Sequence, residues 1–165
     1  AFEDLKKNII SYDNQKAYNY LICDTNNIKY NFKITSGDIS QHSTICHHEE
    51  LIDMYPDMKI DKEITLEGHT LTEFLKKEKI NINEYSTLIL DVEGAELKVL
   101  KGLGNQIENF KFIRIETSEF NLYKDYPLIY DISSYMKKFN FKEIRRIETD
   151  QNDYYQKCFD VLYGK

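Results

Sequence analysis

One short segment constrains the fold of this chain more than any other, because it joins an apolar run directly to a helix through acids and a glycine. Thr87–Leu90 is a continuous apolar run, which predicts a strand buried on both faces. It ends at Asp91-Val92-Glu93-Gly94, where glycine permits a sharp turn. The leucines that follow recur at helical spacing, and glycines close the helix: Leu97, Leu100 and Leu103, then Gly102 and Gly104. A strand that passes directly into a helix is the repeating unit of α/β proteins.

The remaining periodicity extends this unit into an α/β fold. Helical spacing occurs near residues 2–10, 71–77 and 128–139. Strands are predicted at residues 17–23, 28–34, 64–66, 112–115, 141–147 and 158–163. Asn26 and Asn27 form a turn between the first two of these strands, and Thr70 and Glu73 have the spacing of a capping box. We therefore predict one open sheet with helices on both faces, ending in an antiparallel strand pair.

Composition limits the possible partners and the compartment. A length of 165 residues fits a single domain spanning the chain. The net charge of −6 argues against nucleic acid or an anionic membrane as the main partner. We find neither an apolar stretch long enough to span a bilayer nor a signal peptide. The three scattered cysteines, Cys23, Cys46 and Cys158, do not form a disulfide framework. We therefore expect free thiols in a reducing compartment, the cytoplasm.

Acidic residues end three of the predicted strands: Asp24, then Asp91 with Glu93, then Glu116. Ligands of open α/β sheets bind beyond the carboxyl ends of the strands, so we expect these acids to converge on a site for hydroxyls, an amine or a cation. One carboxylate can orient a hydroxyl or accept its proton, and another can hold the cationic end of a cofactor or a metal. The simpler alternatives are that Asp91 caps a helix and that Glu96 only favours the helix dipole.

Residues 88–102, Leu-Ile-Leu-Asp-Val-Glu-Gly-Ala-Glu-Leu-Lys-Val-Leu-Lys-Gly, resemble the signature block of FkbM-type S-adenosylmethionine-dependent methyltransferases. Residues 70–75 are similar to that family's TLDxFL segment, and weaker similarity extends over nearly the whole chain. The resemblance implies a Rossmann-like class I sheet and methyl transfer from S-adenosylmethionine to a hydroxyl of a sugar or other small polar acceptor. It implies Asp91, Glu93 and Glu116 as catalytic residues, with Asp91 also contacting the cofactor. It further implies that Asp24, with Cys23, contacts the cofactor near its adenine amine, and it implies no metal.

The chain also departs from that family. The glycine-rich turn after the family's first strand, and the acid that ends its second, should precede residue 1. Gly102-Leu103-Gly104 follows a helix and has Ile107 where a third glycine is needed, so we do not expect it to contact a cofactor. The missing strands would lie between the strands ending at Asp24 and Asp91, and their absence would leave ladder groups unpaired. We therefore expect an N-terminally incomplete domain, completed by an upstream segment or by another chain, including a second copy.

Several weaker signals keep other functions open. His42, Cys46, His47, His48 and Glu49 crowd one loop, but their spacing does not match a structural zinc site, so we favour a solvated loop. The long loop at residues 35–61, with a helical turn at 49–54, and the segment at 119–126 are expected to shape the acceptor pocket. One rival hypothesis is a metal-dependent glycosyltransferase that uses Asp91 and Glu93 as its metal-binding acids. The other is a non-catalytic relic that acts as an interaction domain.

Overall fold

The computed structural model describes residues 2–35, 43–46, 59–120, 126–148 and 158–165. Its strands form two sheets, one of three strands in the order β1-β3-β2 and one of four in the order β4-β5-β7-β6. The strands are β1 (Leu21–Cys23), β2 (Lys29–Thr35), β3 (Ile60–Thr70), β4 (Thr87–Leu90), β5 (Phe112–Ser118), β6 (Lys142–Glu148) and β7 (Cys158–Gly164). The helices are α1 (Phe2–Ile9), α2 (Leu71–Lys77), α3 (Glu96–Leu103) and α4 (Ile129–Lys137), with 3-10 turns at Ile82–Glu84 and Gly104–Asn109.

The four-stranded sheet carries the core. β4 and β5 are parallel, and β7 lies antiparallel to both β5 and β6, so the predicted antiparallel pair is confirmed. Alternate residues of these strands point to one face, where they pack with α3 and α4. The buried cluster on that face includes Leu90, Ile113, Ile115, Val161, Tyr163, Leu100, Ile132 and Met136. The buried residues of α3 and α4 therefore recur at the helical spacing that the sequence predicted.

The opposite face of this sheet is open in the part of the chain that the structure describes. Ile89 is 61% exposed, Phe112 41% and Ile144 55%. The prediction that Thr87–Leu90 is buried on both faces is therefore wrong. β4 is an edge strand whose one described neighbour is β5, and no described helix covers the side on which Ile89 points. The sequence predicted helices on both faces of the sheet, but the described helices pack on only one face of this four-stranded sheet.

The three-stranded sheet differs most from expectation. β1 pairs in parallel with β3, and β2 pairs with β3 in antiparallel register, so the turn at Asn26 and Asn27 does not close a hairpin between β1 and β2. β3 runs for 11 residues where three were predicted. Gly68 explains the close fit of these strands, because a Cβ there would lie 2.5 Å from Cys23 Sγ and 2.6 Å from the Tyr30 ring. β3 therefore lies between β1 and β2, an arrangement that the sequence did not predict.

The predicted ends of two helices are confirmed. The Thr70 hydroxyl accepts a hydrogen bond from the Glu73 amide at 3.1 Å, which caps α2. Gly104 caps α3 at its C-terminal end with φ of 56°. Gly102 lies inside α3 instead of closing it, and a Cβ there would lie 2.2 Å from the Cys23 carbonyl oxygen. Gly102 is therefore needed for close approach of α3 to β1, and no cofactor role is required to explain it.

Several sequence predictions fall outside the described residues. These are the helical turn at 49–54, the side chains of His42, His47, His48 and Glu49, and most of the loop at 148–157. Among the described helices, none has the length and apolar character required to cross a bilayer. All three cysteines are free, as predicted.

Candidate functional site

Three of the predicted site residues come together at one end of the four-stranded sheet. Asp91, Glu93 and Glu116 each have a carboxylate oxygen within 4.8 Å of one in the other two residues. Asp91 follows the last residue of β4, and the register pairs Leu90 with Ile115, which precedes Glu116. Parallel pairing of β4 and β5 therefore sets the two acids side by side. One correction concerns Glu116, which lies within β5 because that strand continues to Ser118.

The turn that carries Asp91 and Glu93 is held by Glu96. Glu93 and Gly94 both have positive φ, 50° and 96°, a left-handed backbone that glycine adopts without strain. Glu96 Oε1 accepts hydrogen bonds from the amides of Val92, at 3.0 Å, and Gly94, at 3.3 Å. The Glu96 side chain is only 1% exposed. Glu96 therefore stabilises the turn through these two hydrogen bonds, a role beyond the helix-dipole interaction that the sequence suggested.

The acids of this cluster perturb one another. Burial, followed by the charges of Asp91 and Glu93, raises the pKa of Glu116 to about 8. Burial raises the pKa of Glu96 to about 7, against the opposing effect of the amides that donate to it. Burial and the nearby Glu96 and Glu116 also raise the pKa of the Tyr126 hydroxyl. Near neutral pH the cluster therefore holds protons that isolated carboxyl groups would lose.

A cavity of about 600 Å³ opens over these acids. Its walls are apolar or aromatic apart from the three carboxylates and two hydroxyls, with the lining residues Tyr20, Leu21, Ile22, Phe32, Ser43, Thr44, Ile45, Asp91, Val92, Glu93, Ala95 and Glu116. A cavity that combines apolar walls with a few convergent polar groups is typical of a small-molecule site. Residues 43–45, which the sequence placed in a substrate loop, form part of this wall.

Thr44 fixes that wall to the acid turn. Its hydroxyl donates to the Glu93 carbonyl at 2.5 Å and accepts from the Cys46 amide at 3.0 Å. Its backbone also exchanges two hydrogen bonds with Lys33 of β2. Thr44 was not predicted as a site residue, because its role depends on burial and on a hydrogen bond to a residue 49 positions away. The turn and the wall are thus positioned as one unit.

Asp24 and Cys23 lie apart from this cavity. Asp24 accepts a hydrogen bond from the Tyr30 hydroxyl at 3.0 Å, and the buried Cys23 thiol donates to the Thr25 carbonyl at 3.2 Å. Neither lines the cavity over the acids. Asp24 is therefore not among the acids that converge at this cavity, although Leu21 and Ile22 of β1 line it. A cofactor contact by Asp24 or Cys23 stays a prediction.

A second cavity, of about 740 Å³, is larger but carries less chemistry. It lies among α1, α2 and β4, and its walls are mainly apolar, as with Leu5, Phe74 and Leu88. None of the predicted site residues lines it. Volume alone does not identify a catalytic site, and the perturbed carboxyl groups favour the smaller cavity.

Comparison with known proteins assigns the chain to a family. No curated protein and no solved structure matches it. A family model described as the methyltransferase FkbM domain matches residues 2–143. That range includes β4, the turn held by Glu96, and all three clustered acids. The chain therefore belongs to the FkbM methyltransferase family.

Proposed function

We propose that the cavity over Asp91, Glu93 and Glu116 is the active site of an S-adenosylmethionine-dependent O-methyltransferase that acts on a hydroxyl of a sugar or other small polar acceptor. The observation that carries this proposal is the approach of the Asp91, Glu93 and Glu116 carboxylates to within 4.8 Å of one another at the cavity, where burial and the charges of Asp91 and Glu93 raise the pKa of Glu116 to about 8. A carboxylate with a raised pKa is a stronger base than an ordinary one, so it is suited to taking a proton from a bound hydroxyl.

The cavity fits the cationic end of S-adenosylmethionine. The donor carries positive charge on its sulfonium and ammonium groups, and three carboxylates line the cavity while none of its described lining residues is basic. A volume of about 600 Å³ lies within the range of small-molecule sites, about 300–1,000 Å³. Asp91 and Glu93 would hold this cationic end. The bound cofactor supplies an electrophilic methyl group.

The side chains of the cavity have two tasks in this proposal. Asp91 and Glu116 orient the acceptor hydroxyl, because each can accept a hydrogen bond from it. Asp91 or Glu116 would take the hydroxyl proton of the acceptor, whose oxygen would receive the methyl group that S-adenosylmethionine would supply. Thr44 and Glu96 hold the wall and the turn so that these groups stay in place. In such a displacement, positioning supplies much of the rate.

Two measurements test this function. Calorimetric titration with S-adenosylhomocysteine measures cofactor-site binding, and labelled methyl transfer to a panel of polyhydroxyl acceptors measures turnover. Asp91→Ala and Glu116→Gln should lower turnover about 10²–10⁴-fold, the usual contribution of a positioned base. The control is Glu108→Gln, which changes an exposed acid of the 3-10 turn and should leave turnover unchanged.

The same measurements separate the rival hypotheses. If the chain binds S-adenosylhomocysteine, the non-catalytic relic is excluded. If it binds a nucleotide sugar only with manganese, the glycosyltransferase is favoured. Retained turnover in Asp91→Ala would remove Asp91 from the mechanism.

We also propose that residues 1–165 form one domain whose open strand edge is paired in the functional protein. The support is β4, an edge strand with Ile89 61% exposed beside the apolar cavity among α1, α2 and β4. A strand supplied by an upstream segment or by a second copy would pair its free backbone groups. The free cysteines agree with a cytoplasmic location, which we include in the proposal.

A further inference from the structure

Both sheets line the cavity over the acids, and their contributions differ in chemistry. The end of the four-stranded sheet contributes the three clustered carboxylates, whereas β1 and β2 contribute Leu21, Ile22 and Phe32. Ile45, from the segment that Thr44 fixes to the acid turn, adds to the apolar part of the lining. A ligand in this cavity therefore meets hydrogen-bond acceptors from one sheet and apolar surface from the other.

Phe32 is an aromatic residue that lies outside the buried core. It is in the middle of β2, where it pairs with Ile64 of β3, and its side chain is only partly buried. It is not among the residues that pack against the buried cluster of the four-stranded sheet. Within the part of the chain that the structure describes, no other aromatic ring packs on it. Phe32 therefore leaves aromatic surface at the cavity, and a ligand that covers this surface gains from its removal from water.

The second aromatic residue of the cavity lining, Tyr20, is held in place by its neighbours. Its hydroxyl donates to Glu78 at 2.5 Å, and its ring makes edge-to-face contacts with His69 and Phe74 at centroid distances of 5.1 and 5.2 Å. The Lys77 ammonium lies 5.0 Å from the centre of the same ring. Because these contacts fix the ring before any ligand arrives, binding against it loses little side-chain freedom.

The two kinds of surface together define a class of ligand. Clustered carboxylates can accept hydrogen bonds from several hydroxyl groups, which favours a molecule with many hydroxyls over a simple phenol. The apolar and aromatic lining favours a molecule that also has a rigid apolar face, which an open-chain polyol lacks. A pyranose ring has both features, because its hydroxyls project from its edge while its C–H groups form an apolar face.

We propose that the acceptor is a pyranose sugar whose apolar C–H face packs on Phe32 while its hydroxyl groups reach Asp91 and Glu116. Phe32 is then a positioning residue, because it sets which hydroxyl lies at the carboxylates without contacting the reacting atoms. This inference rests on the proposed function, since it identifies the acceptor of the same site.

The test measures binding of small sugars to the purified chain by saturation-transfer difference NMR, with S-adenosylhomocysteine present. The probes are the methyl pyranosides of glucose, galactose and mannose. The open-chain hexitols sorbitol and mannitol carry similar hydroxyls without a ring, and catechol supplies an aromatic ring with two hydroxyls. We expect at least one pyranoside to bind, with the strongest saturation on the C–H groups of one ring face. The hexitols, which must lose chain freedom on binding, should bind more weakly by about tenfold.

Substitutions of Phe32 test its positioning role. Phe32→Leu keeps apolar volume but removes the flat ring, so it should weaken pyranoside binding and raise the KM for pyranoside methylation about 3–10-fold. The affinity for S-adenosylhomocysteine should not change. Phe32→Tyr keeps the ring and should restore most of the pyranoside affinity. The matched control is Phe112→Leu, the same change at a 41% exposed phenylalanine on the open face of β5, which should bind pyranosides like the wild type.

Several outcomes would overturn the sugar-ring proposal. It fails if no pyranoside binds at millimolar concentration, or if the hexitols or catechol bind as tightly as the best pyranoside. It also fails if a folded Phe32→Leu, checked by circular dichroism, binds pyranosides like the wild type. Weaker binding of S-adenosylhomocysteine by Phe32→Leu would equally refute it, because Phe32 would then contact the cofactor.

The same experiment separates this inference from the proposed function. Methyl transfer to a hexitol or to catechol, but to no pyranoside, would retain the methyltransferase and refute the sugar ring. Pyranoside binding that depends on Phe32, without methyl transfer to any acceptor, would support the sugar site and refute the methyltransferase.

Discussion

Replacing Glu96 by glutamine should remove a pH-dependent part of the protein's stability. Folding raises the pKa of Glu96 from 4.5 to about 7, chiefly by burial. Between these two pH values the folded chain therefore binds more protons than the unfolded chain. This contribution to the free energy of unfolding is complete below about pH 4.5 and is lost as the pH rises through about 7.

The size of the effect follows from the same shift. Each pKa unit corresponds to about 1.4 kcal/mol, so the Glu96 contribution falls by about 3 kcal/mol between pH 4.5 and 8. Glutamine has nearly the same volume and keeps an oxygen that can accept from the Val92 and Gly94 amides. Glu96→Gln should therefore match the wild type within about 1 kcal/mol at pH 4.5 and exceed it by about 2–3 kcal/mol at pH 8.

Glu96→Ala is the matched comparison, because it removes both the charge and the acceptor. Leaving the two amides without a partner should cost about 1–3 kcal/mol for each, so this variant should be less stable than Glu96→Gln at every pH. The assay is urea denaturation followed by far-ultraviolet circular dichroism from pH 4.5 to 8, with EDTA present to exclude metal effects. The reasoning is refuted if Glu96→Gln keeps the pH slope of the wild type, or if Glu96→Ala is as stable as Glu96→Gln.

Five further substitutions, two of them matched controls, test the packing by the same urea assay. Gly102→Ala should destabilise by about 1–3 kcal/mol, because its Cβ would meet the Cys23 carbonyl oxygen at 2.2 Å; an unchanged midpoint would contradict this close approach. Thr44→Val should cost about 1–3 kcal/mol through two lost hydrogen bonds, whereas Thr44→Ser should retain most of the stability. Ile113→Val, at a fully buried position, should cost about 0.5–1.5 kcal/mol. Ile89→Val, on the open face, should cost much less, and equal costs would show that this face is covered.

Local signals in the sequence predicted the site better than they predicted the sheets. The acids after β4 and on β5 could be brought together from the sequence, because two neighbouring parallel strands bring their carboxyl ends to one edge. The helix after Gly94 followed from its leucine spacing, and the Thr70 cap followed from its residue type. Each of these features depends on residues that are close in sequence or on one pair of adjacent strands.

The same local signals did not predict which strands pair with each other. Alternating residues show that a segment is extended but not which strand it pairs with, so the pairing of β3 with both β1 and β2 could not be predicted. An apolar run shows that a segment can be buried, but it does not show whether anything covers both faces, as Ile89 illustrates. Glu96 was underestimated because its role depends on burial, which a charged residue in a first helical turn does not reveal.

The position of β7 between β5 and β6 has a consequence for folding during synthesis. β5 can pair with β4 as soon as both are made, whereas β6 has no described sheet partner until residues 158–164 leave the ribosome. β6 therefore stays unpaired during this interval. Its sequence, Lys-Glu-Ile-Arg-Arg-Ile-Glu, has few apolar residues and many charged ones. Charged unpaired strands resist pairing with other chains. The charge on β6 thus protects the nascent chain during the interval in which its sheet is incomplete.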